Sequence, residues 1–390
     1  MSETALPAWA REEAFPAKPD SGPYGNQDAK GEAVPFETLD GLKKHLSKGK
    51  GKLAWVWVPE NDRLVAPEEV PELANSLKKR RAVFAAYDAD DARKGFLIFG
   101  AALAWTGYAA LSSGGLEALG GSQNFGLAAL MFLIFALRPW WEARKGRQDV
   151  AGFSAANIEA EIPEARFELW LDSQKSRLTL AMLVLMAAVG GVQMLVEGKG
   201  IAVAGLVKPA YHAGETWRIF TAAFMHGNVI HFAMNASALW YLARRVEILA
   251  RWPHLAAVFL MSIVGAGWAT VTWYPTQTSV GVSGVVCGLL GFLLVFETLH
   301  RPLVPTSARR RLLGILVSLV VIGTLGFKFI DNAAHFGGLV AGACYGAIVF
   351  PKSSSPHRPI ILGRDLILGG LSLLLICLSG IGAIVAMIIY

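Results

Sequence analysis

The chain has 390 residues, of which 54% are hydrophobic and 17% are charged, with a mean hydropathy of +0.43 and a formal net charge of +6. Soluble globular domains carry about 25% charged residues, so the composition argues against one and favours a polytopic membrane protein with a soluble N-terminal part. The basic residues lie in short clusters between apolar blocks, where they predict membrane topology and indicate no nucleic-acid partner.

The N-terminal quarter of the chain is polar. Residues 1–35 are rich in Pro, Gly, Ala and charge and are predicted to form a disordered tail. Residues 36–94 are predicted to form a small cytosolic α/β domain, with a strand at Leu53–Val58. No apolar signal-peptide region occurs in the first 94 residues, so we expect the N-terminus to stay in the cytosol.

Two apolar blocks follow within residues 95–140. Basic residues flank the pair on its outer sides only, which predicts a transmembrane hairpin with both ends in the cytosol and its turn at residues 114–125. Residues 141–177 are again polar and predict a second cytosolic segment, a linker with strand character at residues 165–171.

Seven further apolar blocks extend to the C-terminus. They predict a six-helix core over residues 178–350, then a cytosolic loop and one additional transmembrane helix over residues 351–390, nine transmembrane helices in all with the hairpin. Basic residues concentrate in alternate connections, which we assign to the cytosol; Lys199, Lys208 and Arg218 run against this pattern. The seven predicted spans are 178–196, 229–243, 254–273, 282–298, 312–328, 332–350 and 363–389.

Four unusual polar residues lie early in three core helices that should run from the outside inward: His231, Asn235, Ser283 and His335. In each helix, 13 to 15 residues separate the serine or histidine from the charged or aromatic residue that marks the inner end. At about 1.5 Å per residue, the four side chains should share one depth below the outer surface. A shared depth is what a single site requires.

The helices of Ser283 and His335 also carry glycines four residues apart, at Gly284, Gly288, Gly338 and Gly342. Such small-xxx-small faces allow helices to approach closely, and packing alone would explain them. With a serine beside one face and a histidine beside the other, they favour a nucleophile and its general base. The Asn235 amide, His231 and the backbone N–H of Ser283 are suitable donors to an oxyanion.

Several motifs occur in a fixed order: W-R at Trp217-Arg218, H-x-x-x-N from His231 to Asn235, G-x-S-G from Gly281 to Gly284, and A-H-x-G-G-x-x-x-G from Ala334 to Gly342. With them, the stretch from about Leu178 to Phe350 resembles the rhomboid intramembrane serine proteases, in the variant with one helix added to six.

This resemblance implies an all-α polytopic membrane protein with a rhomboid-like helical bundle. It implies Ser283 as nucleophile, His335 as base in a dyad without an acid, and Asn235 and His231 in the oxyanion hole. The expected supporting residues are Gly281, Gly284, Gly338, Gly342, Trp217, Arg218 and Cys287. It implies neither cofactor nor metal, transmembrane proteins as substrates, and a lipid bilayer as surroundings. A bacterial inner membrane is the expected location.

One position departs from the family pattern. The family often has a tyrosine four residues after the serine, stacked on the histidine, and here that position is Cys287. Phe336 or Tyr345 could supply the missing aromatic ring. Cys287 is a poor alternative nucleophile because it lies one turn deeper in an apolar environment. Asp331, four residues before His335, is a less favoured third catalytic member.

Two other classes of function remain open at this point. An inactive rhomboid-like protein that binds transmembrane clients would be favoured by loss of Ser283 or His335, and both are present. A transporter or channel could use intramembrane His and Asn side chains, but it would predict an internal repeat, and we find none in the core helices.

Overall fold

The computed structural model describes residues 6–28, 31–48, 55–196, 198–327 and 330–389. It divides into two compact units. The N-terminal unit contains Ala8–Ser173 and Ser318–Ile330. The core unit contains Gln174–Val317 and Asp331–Tyr390, together with Met1–Pro7.

The N-terminal unit combines a small sheet with helices. Its strands are β1 (Tyr24–Gln27), β2 (Ala33–Phe36) and β3 (Trp55–Trp57), in the antiparallel order β2-β1-β3. Its helices are α1 (Leu39–Ser47), α2 (Ala74–Gly121), α3 (Gln123–Phe132), α4 (Arg138–Ala151) and α5 (Ala155–Ser173). The predicted strand is therefore present at Trp55–Trp57, while Leu53 and Ala54 lie outside the described residues.

The prediction of a disordered tail over residues 1–35 is wrong for much of that stretch. β1 is the central strand of the sheet, and Gly25 lies against Trp57 so closely that a Cβ there would be 1.9 Å from a ring carbon. Phe15 is buried edge-on against Trp55, with 4.9 Å between the ring centroids. A few apolar side chains order this segment because Trp55 and Trp57 give them a surface on which to pack, in spite of its Pro and Gly content.

The sequence predicts a domain at residues 36–94 that is separate from a linker at residues 141–177, but the structure packs the two segments together. The stretch predicted to have strand character is part of helix α5, and its Leu169 joins the buried cluster around Trp55 and Trp57. Arg166 forms an ion pair with Glu69 at 3.1 Å. The two polar segments therefore share one hydrophobic core, which only long-range packing could reveal.

The predicted hairpin is present, but its first helix begins earlier. α2 runs without a break through the predicted boundary at residues 94 and 95. Its helical backbone breaks at Gly114 and Gly115, within the predicted turn, and Ser122 caps the start of α3 by accepting a hydrogen bond from Phe125 N at 3.2 Å. Helix α3 continues through a π-helical segment, Leu133–Leu137, into α4.

A helix is present at each of the seven predicted positions from residue 177 onward. They are α6 (Arg177–Leu195), α10 (Val229–Ala250), α11 (Trp252–Trp273), α12 (Ser283–Leu299), α13 (Thr306–Leu325), α14 (Asn332–Val349) and α15 (Gly363–Ile389). Three short helices, α7 (Lys199–Ala204), α8 (Lys208–His212) and α9 (Arg218–Thr221), lie in the first connection. The all-α membrane bundle that the sequence predicts is thus confirmed, with a small N-terminal sheet.

Helix α10 extends seven residues beyond its predicted end. The charges of Arg244 and Arg245 predict a loop after residue 243, but both side chains are buried and both residues belong to the helix. Arg245 can remain there because Glu297 of α12 pairs with it through two hydrogen bonds.

Five of the described helices are long and apolar enough to cross a membrane by themselves: Pro71–Gly121, Gln123–Ala151, Arg177–Leu195, Trp252–Trp273 and Gly363–Ile389. Ser283–Leu299 is apolar but slightly shorter. Polar or arginine side chains lower the hydropathy of α10, α13 and α14. The chain is an integral membrane protein.

Candidate active site

Three core helices begin at or close to the polar residues singled out in the sequence. Ser283 is the first residue of α12, while His231 and His335 lie in the first turns of α10 and α14. Two of these first turns are capped by side chains: Asn228 accepts from His231 N at 2.8 Å, and Asp331 accepts from Ala334 N at 2.9 Å. Each cap fixes the backbone at the start of a helix that carries a candidate site residue.

The glycine faces of α12 and α14 lie directly against each other. A Cβ on Gly338 would be 1.9 Å from the carbonyl oxygen of Gly284, and one on Gly342 would be 1.8 Å from that of Gly288. Real side chains cannot occupy such positions, so glycine is required at this contact. The approach brings the beginning of the Ser283 helix against the first turns of the His335 helix.

The segment that leads into Ser283 lies against the beginning of α10. Gly281 has φ +114°, a left-handed backbone conformation that favours glycine, and a Cβ there would be 2.8 Å from the His231 ring and 3.4 Å from Asn235 Nδ2. Only a glycine lets this backbone pass so close to both side chains. The structure therefore groups His231 and Asn235 beside the backbone that precedes Ser283.

Two buried polar atoms of this group make no hydrogen bond within the described part of the chain: Asn235 Nδ2 and His335 Nδ1. Buried polar groups are ordinarily paired, and exceptions call for an explanation. An amide that can donate and a ring nitrogen without a partner suit a site whose partners are groups of a bound substrate.

His226 closes the group on the side of the first connection. Its ring lies edge-on to His231, with 5.2 Å between centroids, and its Nδ1 is 3.2 Å from Phe224 O. Gln193 of α6 binds the backbone of His226 at both its N–H and its carbonyl group. These contacts give His226 a place in packing the His231 ring, and Gln193 is a residue that sequence reasoning missed.

Trp217 and Arg218 organise the first connection through contacts with that connection and with each other. The Arg218 guanidinium donates to the carbonyl oxygens of Ala202 and Gly205 at 3.0 and 2.9 Å, and to Glu215 at 2.6 Å. It also lies 4.9 Å from the centroid of the Trp217 ring, within range of a cation–π interaction. Arg218 is thus a buried cross-link of the connection, and its charge needs no cytosolic location.

Neither aromatic residue considered for the place of the family tyrosine contacts His335. Phe336 packs on Trp273, with 5.7 Å between centroids, and the Tyr345 hydroxyl lies 2.9 Å from His254 Nδ1. Cys287 is fully buried. Among the described residues, no aromatic ring stacks on His335.

Asp331 does not bind the His335 ring. One carboxylate oxygen caps α14, and the other accepts hydrogen bonds from the hydroxyl groups of Thr270 and Ser279. No local sequence pattern indicates this arrangement, because Thr270 and Ser279 are 61 and 52 residues from Asp331.

The structure is thus a membrane-embedded helical bundle in which glycines pack the helices that carry Ser283 and His335 against each other, an architecture that fits an intramembrane hydrolase. Comparisons with known proteins agree: the family model described as the Rhomboid domain matches residues 213–352. The chain is 31% identical over 220 residues to "Rhomboid protease GlpG" of Yersinia pestis (strain Pestoides F), which covers 54% of this chain and 74% of the relative. The protein of the same name from Yersinia enterocolitica is 31% identical over 219 residues.

The chain belongs to the rhomboid family. It is accordingly an intramembrane serine protease, a hydrolase.

Proposed function

We propose that the chain cleaves peptide bonds in or near the transmembrane helices of other membrane proteins, with Ser283 as nucleophile and His335 as general base. The observation that carries this proposal is the close contact of α12 with α14 at Gly284 and Gly338. Near this contact, the Nδ1 atom of His335 is buried and has no hydrogen-bond partner in the described chain. A base held at a nucleophile by rigid helix packing is what acyl transfer requires.

The reaction follows from these roles. Ser283 Oγ attacks the substrate carbonyl carbon as His335 takes the hydroxyl proton. The C–N bond then breaks, and His335 gives that proton to the leaving amine. Water attacks the resulting ester in the same way, with His335 again accepting and then returning a proton to Ser283. The products are two peptide fragments, and the enzyme is restored.

Asn235 and His231 would stabilise the oxyanion that forms in both halves of the reaction. Asn235 Nδ2 is a buried donor with no hydrogen bond in the described chain, so it can donate to the oxyanion without first losing a protein partner. His231 lies beside it at the Gly281 backbone. The backbone N–H of Ser283, at the start of α12, has no earlier helical carbonyl to bind and is the third proposed donor.

The catalytic core in this proposal is residues 178–350, in a bacterial cell membrane with the N-terminus in the cytosol. The buried contacts of Lys208 and Arg218 support the outward assignment of the first connection, because both charges are held inside the protein. Clusters such as Arg309, Arg310 and Arg311 then lie on the cytosolic side.

The test uses the purified full-length protein and a model single-span substrate. Ser283→Ala and His335→Ala should each lower kcat by about 10³-fold or more. A fluorophosphonate probe should label Ser283 in the unaltered protein and label the His335→Ala variant far more slowly. Cleavage that survives Ser283→Ala would show that another residue is the nucleophile. Labelling of Ser283 with no cleavage of any membrane substrate would contradict the proposed substrate class.

A further inference from the structure

A polar cluster that is buried at Lys208 and Thr270 and half-buried at Ser279 and Asp331 lies next to the candidate site and has no part in the mechanism above. It consists of Lys208 at the start of α8, Thr270 in α11, Ser279 in the segment before α12, and Asp331 at the cap of α14. The Lys208 side chain is 0% exposed, which is rare for a lysine and requires a strong compensating interaction.

The cluster is a chain of hydrogen bonds from a cation to an anion. Lys208 Nζ donates to Ser279 Oγ at 2.5 Å, and the Ser279 and Thr270 hydroxyl groups both donate to the same oxygen of Asp331. Each hydroxyl thus uses its single proton toward the carboxylate, while Ser279 accepts from the ammonium group. Burial lowers the pKa of Lys208, and the nearby Asp331 carboxylate opposes that change.

Two members of this hydrogen-bonded cluster, Asp331 and Ser279, are bonded close to the two halves of the proposed dyad. Asp331 caps the first turn of α14 at Ala334, the residue before His335. Ser279 lies four residues before Ser283 and exchanges two backbone hydrogen bonds with Leu206, at 3.0 and 3.2 Å. A displacement of the Lys208 side chain would therefore act on the Ser283 segment and on the His335 helix together.

We propose that Lys208 is a positioning residue of the protease. Its ammonium group balances the half-buried Asp331 carboxylate through Ser279 and so holds the His335 helix in register with the segment that carries Ser283. This inference rests on the proposed dyad. It assigns no chemical step to Lys208, which acts through Ser279 and Asp331.

The inference predicts charge coupling between two residues. Lys208→Met leaves the half-buried Asp331 carboxylate without its cation. Asp331→Asn keeps a capping oxygen for Ala334 N but leaves the buried lysine unbalanced. Each single variant should lower kcat by about 10²-fold, the cost of a misplacement of about 1 Å, with little change in KM. The neutral double variant, Lys208→Met with Asp331→Asn, should recover most of the lost kcat.

The measurement is kcat and KM for a single-span substrate, together with the rate at which a fluorophosphonate labels Ser283 and the unfolding midpoint of each variant. Lys199→Met, an exposed lysine of the same connection, is the matched control and should behave like the unaltered protein. Recovery in the double variant supports positioning through charge. An unchanged kcat in Lys208→Met, or a double variant no better than the worse single one, overturns it.

Failure of this inference is distinguishable from failure of the proposed dyad. Ser283→Ala, measured in parallel, is inactive if the dyad is right. An active Ser283→Ala variant overturns the dyad itself, whereas an inactive one beside a fully active Lys208→Met variant overturns only the role of Lys208.

Discussion

Arg245 and Glu297 form a bidentate ion pair between α10 and α12, with distances of 2.6 and 2.9 Å and both side chains buried. Arg245 lies 14 residues after His231 in α10, and Glu297 lies 14 residues after Ser283 in α12. Because both helices are continuous over these stretches, the pair sets His231 and Ser283 at the same level, about 21 Å from the pair.

Breaking this pair from one side should destabilise the protein strongly. Arg245→Met removes the bidentate partner of the buried Glu297 carboxylate, and the expected loss is about 3–5 kcal/mol of unfolding free energy. Thermal or denaturant unfolding of the detergent-solubilised protein measures it. The double variant Arg245→Met with Glu297→Leu removes both charges and should regain most of that stability. Equal losses in the single and double variants would show that the pair contributes packing alone.

Gly338 lies three residues after His335, at one of the two tightest points of the α12–α14 contact. Gly338→Ala places a Cβ only 1.9 Å from the carbonyl oxygen of Gly284, so the two helices must separate. Because the dyad depends on this approach, kcat should fall by about 10²-fold or more. Gly191→Ala in α6 is the control, since a Cβ there meets nothing within 4 Å. A Gly338→Ala variant with normal kcat would contradict a role for this contact in setting the dyad.

Patterns of short range were enough to predict the helices and much of the candidate site. Helical apolar blocks and glycines spaced by four have direct physical causes, so α12 and α14 were placed within a few residues of their observed bounds. Lys208 and Ser279, which are hydrogen-bonded, are 71 residues apart in the sequence. Leu169 and Trp57, which belong to one buried cluster, lie in distant segments of the N-terminal unit. No local pattern encodes such pairs. Positive charge was an unreliable guide to topology at two positions: Arg245 and Lys208 would each indicate a cytosolic connection, but both are buried and bound to partners inside the protein.

Asn235 should matter for rate far more than for folding. Its Nδ2 makes no hydrogen bond within the described chain, so Asn235→Ala removes no hydrogen bond of that atom. As an oxyanion donor it should contribute about 10²–10³-fold to kcat. Steady-state kinetics of Asn235→Ala measure this, with the unfolding midpoint as control. A large fall in stability with unchanged kcat would identify Asn235 as a structural residue instead.

Replacing Cys287 tests whether the cysteine at the position of the family tyrosine takes part in catalysis. Its side chain is buried one turn below Ser283, and it is a free cysteine. Cys287→Ala should keep kcat within about threefold of the unaltered protein, because the change removes one small buried group from a position that makes no bond to the site. The measurement is kcat for a membrane substrate, with the Cys287→Ala and Ser283→Ala variants assayed in parallel. If Cys287→Ala were inactive and Ser283→Ala active, the nucleophile would be the thiol.

Leu169 links α5 to the tryptophan cluster of the N-terminal unit and predicts that the two polar segments fold together. Leu169→Ala removes buried side-chain volume beside Trp55 and Trp57 and should cost about 2–4 kcal/mol of local stability. Hydrogen exchange of the full-length protein should then speed up at the amides of β3, whereas those of α12 should keep their rates. Leu116→Ala, at a side chain 79% exposed, is the control and should leave β3 unchanged. Unaltered exchange at β3 in Leu169→Ala would mean that the strand is stable without α5, and that the two segments are separate folding units after all.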